Sequence, residues 1–122
     1  MKKILITILL VFVASSLHAE NWPAWRGADG RGVSQEKNLP LTWNTTENVR
    51  WKVPLAEPCN GTPIIWGDRV FITQGLDKGK RRAVIALDRA SGEKLWQREL
   101  SCDVEETTHP QNPPCSSSPI TD

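Results

Sequence analysis

Cysteine, histidine and helical periodicity are all scarce in this chain, and each scarcity removes a class of chemistry. The three cysteines, Cys59, Cys102 and Cys115, show no Cys-x-x-Cys, no haem-attachment pattern and no zinc spacing. His109 is the one histidine beyond the N-terminal apolar segment, and a lone histidine in a Pro-rich loop reads as a surface residue. Nothing longer than a turn repeats its apolar residues at helical spacing. After residue 19 no apolar run approaches the length of a membrane helix, so no membrane span is expected. Neither sign of charge dominates. Without Lys2 and Lys3, the 15 basic residues become 13, against 14 acidic ones. That balance steers toward neither nucleic acid nor anionic membrane. The single basic cluster, Lys78-Gly-Lys-Arg-Arg82, lies between two strand-like segments and reads as a solvated hairpin tip.

The first segment is a targeting signal. Lys2 and Lys3 are followed by the apolar stretch Ile4–Val13, and Ala14-Ser-Ser-Leu-His-Ala19 supplies small residues for cleavage. Residues 1–19 therefore read as a secretory signal peptide, cleaved after Ala19. No cysteine follows the apolar run, so no lipid anchor is expected. The product is expected in a periplasm or outside the cell, where disulfides are permitted.

Residues 20–42 are rich in Gly, Pro, Arg and Asp and read as an N-terminal loop pinned by Trp22 and Trp25. Its Gly27, Gly30 and Gly32 follow no strand and open no helix, so a phosphate loop is excluded by context. Five strand-like segments follow: 48–55, 62–66, 69–74, and the arms 82–88 and 93–100. Gly67-Asp68 is a Gly-first two-residue hairpin signal. Val70 and Ile72 point to one face and Phe71 to the other, while Ala83–Leu87 is apolar on both faces. A sheet apolar on both sides needs cover on both sides, and without helices that cover is expected to be other sheets. The expected class is all-β.

One string stands out: Ala86-Leu-Asp-Arg-Ala-Ser-Gly-Glu-Lys-Leu-Trp96. Asp88 opens a turn and can accept backbone N–H groups. Gly92 can take φ > 0 where a turn runs into a bulge. Trp96 is a large apolar plate with one N–H to satisfy. The chain also repeats itself. Trp51-Lys-Val-Pro-Leu55 matches Trp96-Gln-Arg-Glu-Leu100 at a shift of 45. Cys59-Asn-Gly-Thr-Pro-Ile64 matches Cys115-Ser-Ser-Ser-Pro-Ile120 at a shift of 56. Four-strand repeats of this period indicate a β-propeller.

The string resembles the docking motif of pyrroloquinoline-quinone (PQQ)-like β-propeller repeats, Ala-x-Asp-x-x-Thr-Gly-x-x-x-Trp, with Ser91 standing for Thr. The Trp22-to-Val33 and Trp51-to-Leu55 segments are similar to the entry of exported, planctomycete-type members. The resemblance implies residues 43–122 as a repeat region of four-stranded antiparallel blades. One blade spans about 62–100, with partial blades at 48–55 and 118–122. One blade and two stubs cannot close a ring, so the chain is expected to be the N-terminal fragment of a longer propeller and to fold poorly alone. A sharp cooperative melt of the isolated 20–122 segment would contradict that expectation. In the family, the motif's tryptophan wedges between blades. Carried over, Trp96 is the wedge, Asp88 and Ser91 fasten the turn, and Gly92 is the bulge residue after Ala86 and its strand.

Three functional readings follow from the resemblance. The first is an exported, non-catalytic binding or scaffold module for protein or peptide partners. The second is a PQQ- and Ca²⁺-dependent alcohol or sugar dehydrogenase, with most of its site beyond residue 122. The third is a propeller subunit that serves another enzyme or binds polysaccharide. Family dehydrogenases use adjacent cysteines and Ca²⁺ ligands. No adjacent cysteines occur, Asp29, Asp68 and Asp77 sit in turn contexts, and Glu105-Glu106 reads as a solvated connector. The non-catalytic reading is preferred, with no catalytic, cofactor-binding or metal-binding residue assigned. Cys59 and Cys115 occupy equivalent repeat positions. They read either as a disulfide stapling consecutive units or as two loop thiols.

Overall fold

The alternating and doubly apolar stretches between residues 64 and 101 form one open antiparallel sheet in a computed structural model that describes residues 19–103, 107–109 and 111–122. The apolar segment read as a signal peptide, and Glu105-Glu106, lie outside these residues. The strands are β1 (Ile64–Trp66), β2 (Arg69–Leu76), β3 (Arg81–Asp88) and β4 (Lys94–Ser101), in spatial order β1-β2-β3-β4. One turn of 3-10 helix, Asp77–Gly79, joins β2 to β3. No helix among the described residues is long and apolar enough to cross a membrane.

Each turn follows from its residues. Gly67 has φ 56° and Asp68 does not share its sign, as a Gly-first hairpin requires. The basic cluster forms the β2–β3 hairpin tip. There Arg81 pairs with Asp77 at 2.6 Å and with Glu99 on β4. Trp22 extends the sheet beyond β1, exchanging backbone hydrogen bonds of 2.8 and 2.9 Å with Ile65. Trp22 thus pins the N-terminal loop, but Trp25 does not. Trp25 is exposed, with the Arg26 guanidinium 4.5 Å over its ring.

The strand register sorts the side chains onto two faces. Val70, Ile72, Leu76, Ala83, Ile85 and Leu87 form the buried cluster on one face. Gln74 belongs to the same inward series and is 1% exposed. Its amide donates to the Glu57 carbonyl at 2.6 Å, which satisfies a polar group that burial would otherwise penalise. Phe71, Ala86 and Trp96 align on the opposite face, with the Phe71 and Trp96 rings 5.9 Å apart.

Residues 48–55 and 118–122 are not strands, contrary to the expectation from the repeat. Among the described residues no backbone–backbone hydrogen bond ties 49–55 to a neighbour. Pro54 and Pro119 each lack a ladder donor. Residues 51–57 instead lie across the buried face as an extended cover, with Trp51 and Val53 packed on the cluster. The cover on this face is therefore a single segment and not a second sheet. The other face is covered less. Thr73 Oγ1 donates to the Ser117 carbonyl at 2.6 Å, and the Thr62 amide to Ser118 Oγ at 2.8 Å. Beyond them Val84 is 38% and Leu100 75% exposed.

Trp51 sits directly on the β3–β4 turn. A Cβ at Gly92 would lie 2.6 Å from the Trp51 ring, and Gly92 has φ 76°. Gly92→Ala is expected to cost about 2 kcal/mol, part backbone strain and part clash. Trp51→Ala is expected to cost about 3 kcal/mol. In the Trp51→Ala background the Gly92→Ala cost should fall by about half, because only the backbone term remains. Urea unfolding of the two single variants and the double variant measures this coupling.

Candidate functional site

Asp88, Ser91 and Gly92 of the Ala86–Trp96 string meet in the β3–β4 turn, and Ala86 and Trp96 pair on the strands beside it. The Gly92 amide donates to the Asp88 carbonyl and the Asp88 amide to the Glu93 carbonyl, both at 2.8 Å. Asp88 Oδ1 accepts three hydrogen bonds: from the Ser91 amide at 2.8 Å, the Ser91 hydroxyl at 2.9 Å and the Ala90 amide at 2.9 Å. Ser91 Oγ in turn accepts the Glu93 amide at 3.2 Å. The loop is therefore cross-tied by one carboxylate and one hydroxyl. The Ser91 amide, then the Ser91 hydroxyl and the Ala90 amide, hold the Asp88 carboxyl below its ordinary value.

A bulge follows. Ala86 pairs with Trp96 and Leu87 with Lys94, so Leu95 is the extra residue on β4. Ala86 is fully buried between Phe71 and Trp96, where a larger side chain would part the two rings.

Two residues outside the expected set complete the arrangement. The Trp51 indole N–H donates to the Arg89 carbonyl at 3.0 Å, fixing the cover to the turn. Arg89 links the two hairpin turns: its amide donates to the Asp68 carbonyl at 2.9 Å and its guanidinium to Gly67 and Ala19 carbonyls. Arg89 occupies a variable position of the motif, so the motif gave no signal for it. Trp51 carried one, as the repeat counterpart of Trp96.

The gap under the cover is lined by Val53, Leu55, Gln74, Leu76, Ile85 and Leu87 and measures about 150 Å³. Ligand sites run to about 300 Å³ or more, so this is a packing gap.

Cys59 and Cys115 are brought together, but no disulfide joins them, and both are thiols. The Cys59 thiol donates to the Thr73 carbonyl at 2.8 Å, and it is the Cys115 carbonyl oxygen that lies 3.7 Å from Cys59 Sγ. Cys115 holds φ 65°. His109 is exposed, and its Nδ1 accepts the Gln111 amide at 3.2 Å within its own loop. Among the described residues no group of three His, Cys, Asp or Glu side chains is placed to hold a metal ion. No family model, curated protein or solved structure matches this chain.

Because the folded Asp88 carboxyl titrates below its unfolded value, its contribution to stability is present above about pH 4 and fades as pH falls through the folded value. Asp29, held down by the Arg31 amide, and Asp77, held down by Arg81, act in the same direction. Asp88→Asn should therefore destabilise at neutral pH, with its deficit against the wild type shrinking on acidification. Chemical unfolding at stepped pH reads this, and a deficit constant down to pH 2 would show that the turn does not need the charge.

Proposed function

We propose that this chain forms a blade of an exported PQQ-like β-propeller, a non-catalytic binding or scaffold module for protein or peptide partners in a periplasm or outside the cell. The observation that carries this reading is the seat of Trp51 on Gly92. Trp51 is the counterpart of Trp96 one repeat earlier. A tryptophan of one repeat held on the motif turn of the next is a joint between consecutive units. Trp96 would serve the following joint. It lies on a face that carries Phe71 and Ala86 and runs out to the exposed Val84 and Leu100. Such a face suits a neighbouring sheet.

The non-catalytic part of the reading rests on how the motif is employed. Ser91 and Gly92 are engaged in building the turn, as is one oxygen of Asp88, and Trp96 is engaged in packing. These are structural roles, and fold alone is a weak guide to activity.

Two measurements on the full-length protein test the proposal. Trp96→Ala should cost about 3–5 kcal/mol in urea unfolding if a second sheet covers this face, and only about 1–2 kcal/mol if Phe71 and Ala86 are its sole packing. Titration with PQQ in Ca²⁺ buffer, followed by quinone absorbance and by dye-linked alcohol oxidation, should give no saturable change. Saturable, Ca²⁺-dependent uptake with dye reduction would assign the dehydrogenase instead.

A further inference from the structure

Where the two hairpin turns meet, the sheet ends in a row of side chains that the fold leaves unused. Trp66 on β1 stands opposite Arg69 on β2, and Arg69 stands opposite Asp88 on β3. Residues opposite each other in an antiparallel pair share a face, so these three form one row. The β4 bulge adds the fourth member. It turns out Leu95, which is 46% exposed. Bulges recur beside binding sites because they re-aim a side chain. Asp68, from the Gly67-Asp68 turn, completes the lining of an open cleft of about 360 Å³.

Among the described residues, the charged groups of this cleft form no ion pair with one another. Opposite charges facing each other across a ladder ordinarily pair. Among the described residues, however, Arg69 makes no ion pair and no side-chain hydrogen bond, with Asp88 or with anything else. The Asp68 carboxylate, the second oxygen of Asp88 and the Trp66 indole N–H are likewise without partners. Trp66 is 41% exposed, an apolar plate open to solvent. Three of the four strands thus deliver a donor-only group, acceptor-only groups and an aromatic face around one space.

We propose that this cleft is a saccharide subsite that takes a neutral pyranose unit, a hexose or an N-acetylhexosamine, of a glycan. A pyranose ring has a C–H face that fits an aromatic plate and a rim of hydroxyls that both donate and accept. Stacked on Trp66, its hydroxyls would accept from Arg69 and donate to Asp68 and Asp88, with Leu95 as the apolar wall. Charge selects the class. A cationic peptide side chain would meet Arg69, and an anion would meet two carboxylates. A neutral polyhydroxylated ring satisfies all three groups. The cleft volume falls within the range of about 300–1,000 Å³ seen for small-molecule sites. The row is set by the register of the sheet and lies at the hairpin end of the face that carries Phe71, Ala86 and Trp96, so the inference requires that a sheet covering that face leave this end open.

The test is calorimetric titration of the full-length protein with maltohexaose, cellohexaose, mannohexaose and chitohexaose, with circular dichroism as the check of fold. At least one of the four should bind saturably. Trp66→Ala and Arg69→Gln should each weaken that binding by about tenfold or more, while Trp66→Phe keeps it within about threefold. Trp43→Ala, at an exposed tryptophan outside the cleft, should leave it unchanged. If Trp66→Ala alters the dichroism spectrum, Arg69→Gln and Asp68→Asn decide the matter. No saturable heat with any of the four sugars overturns the proposal. So does sugar binding indifferent to the cleft variants. Binding of a Lys/Arg-rich peptide that Trp66→Ala abolishes, with no sugar bound, overturns it in favour of a peptide site.

Discussion

The indole of Trp51 laid against the Gly92 turn is the contact on which the rest of this structure depends. The sheet is apolar on both faces, and among the described residues no α-helix shelters it. One face is closed by residues 51–57, a segment with no hydrogen-bonded ladder of its own. An extended strip of this kind stays in place only where side chains anchor it. Trp51 anchors one end, through its N–H on the Arg89 carbonyl and its ring on Gly92. The Gln74 amide anchors the other end, through the Glu57 carbonyl. Between these points Val53 packs on Ile85, Leu87 and their neighbours. Burial of the cluster supplies the driving force, and two directional bonds supply the alignment.

The anchor imposes a demand on the turn beneath it. The ring can approach only because Gly92 has no Cβ, and the backbone there is left-handed. A left-handed residue inside a tight loop needs neighbours that hold it. Asp88 and Ser91 do so through a set of short hydrogen bonds that leave little freedom between residues 88 and 93. The charge on Asp88 strengthens the three bonds that its Oδ1 accepts, which is also why its carboxyl titrates low. The exposed ion pairs elsewhere, Arg31 with Asp29 and Arg81 with Asp77, sit in water and contribute little beyond local shape.

The two faces and the end of the sheet therefore differ in kind. One face is covered and tied by residues 51–57. The other carries Phe71 and Trp96 near its centre but leaves Val84 and Leu100 in water. At the hairpin end, Arg89 ties both turns together. Trp66, Arg69, Asp68 and Asp88 Oδ2, without side-chain partners among the described residues, project beside this cross-tied end. Preorganised polar groups of this sort lose little freedom on meeting a ligand.

Much of this was legible in the residues. Apolar alternation marked β2, the doubly apolar run marked β3, Gly67-Asp68 marked its turn, and the spacing from Asp88 to Trp96 marked the β3–β4 connection. Even Gln74 could have been noticed, as a polar residue in an inward series with Val70, Ile72 and Leu76. The alternation of Trp51, Val53 and Leu55 was legible too, but ambiguous. The same pattern serves a strand in a ladder and a strip laid across a sheet, and only the presence of a hydrogen-bonding neighbour separates them. Similarly, spacing brought Cys59 and Cys115 to equivalent places, while the Thr73 carbonyl took the Cys59 thiol. The sequence by itself determined the four sheet strands, their turns and the inward alternation of β2, because these depend on neighbours along the chain. Only the tertiary structure decided what covers each face and which side chains meet in the row from Trp66 to Leu95, because register and a one-residue bulge act between strands far apart in the chain.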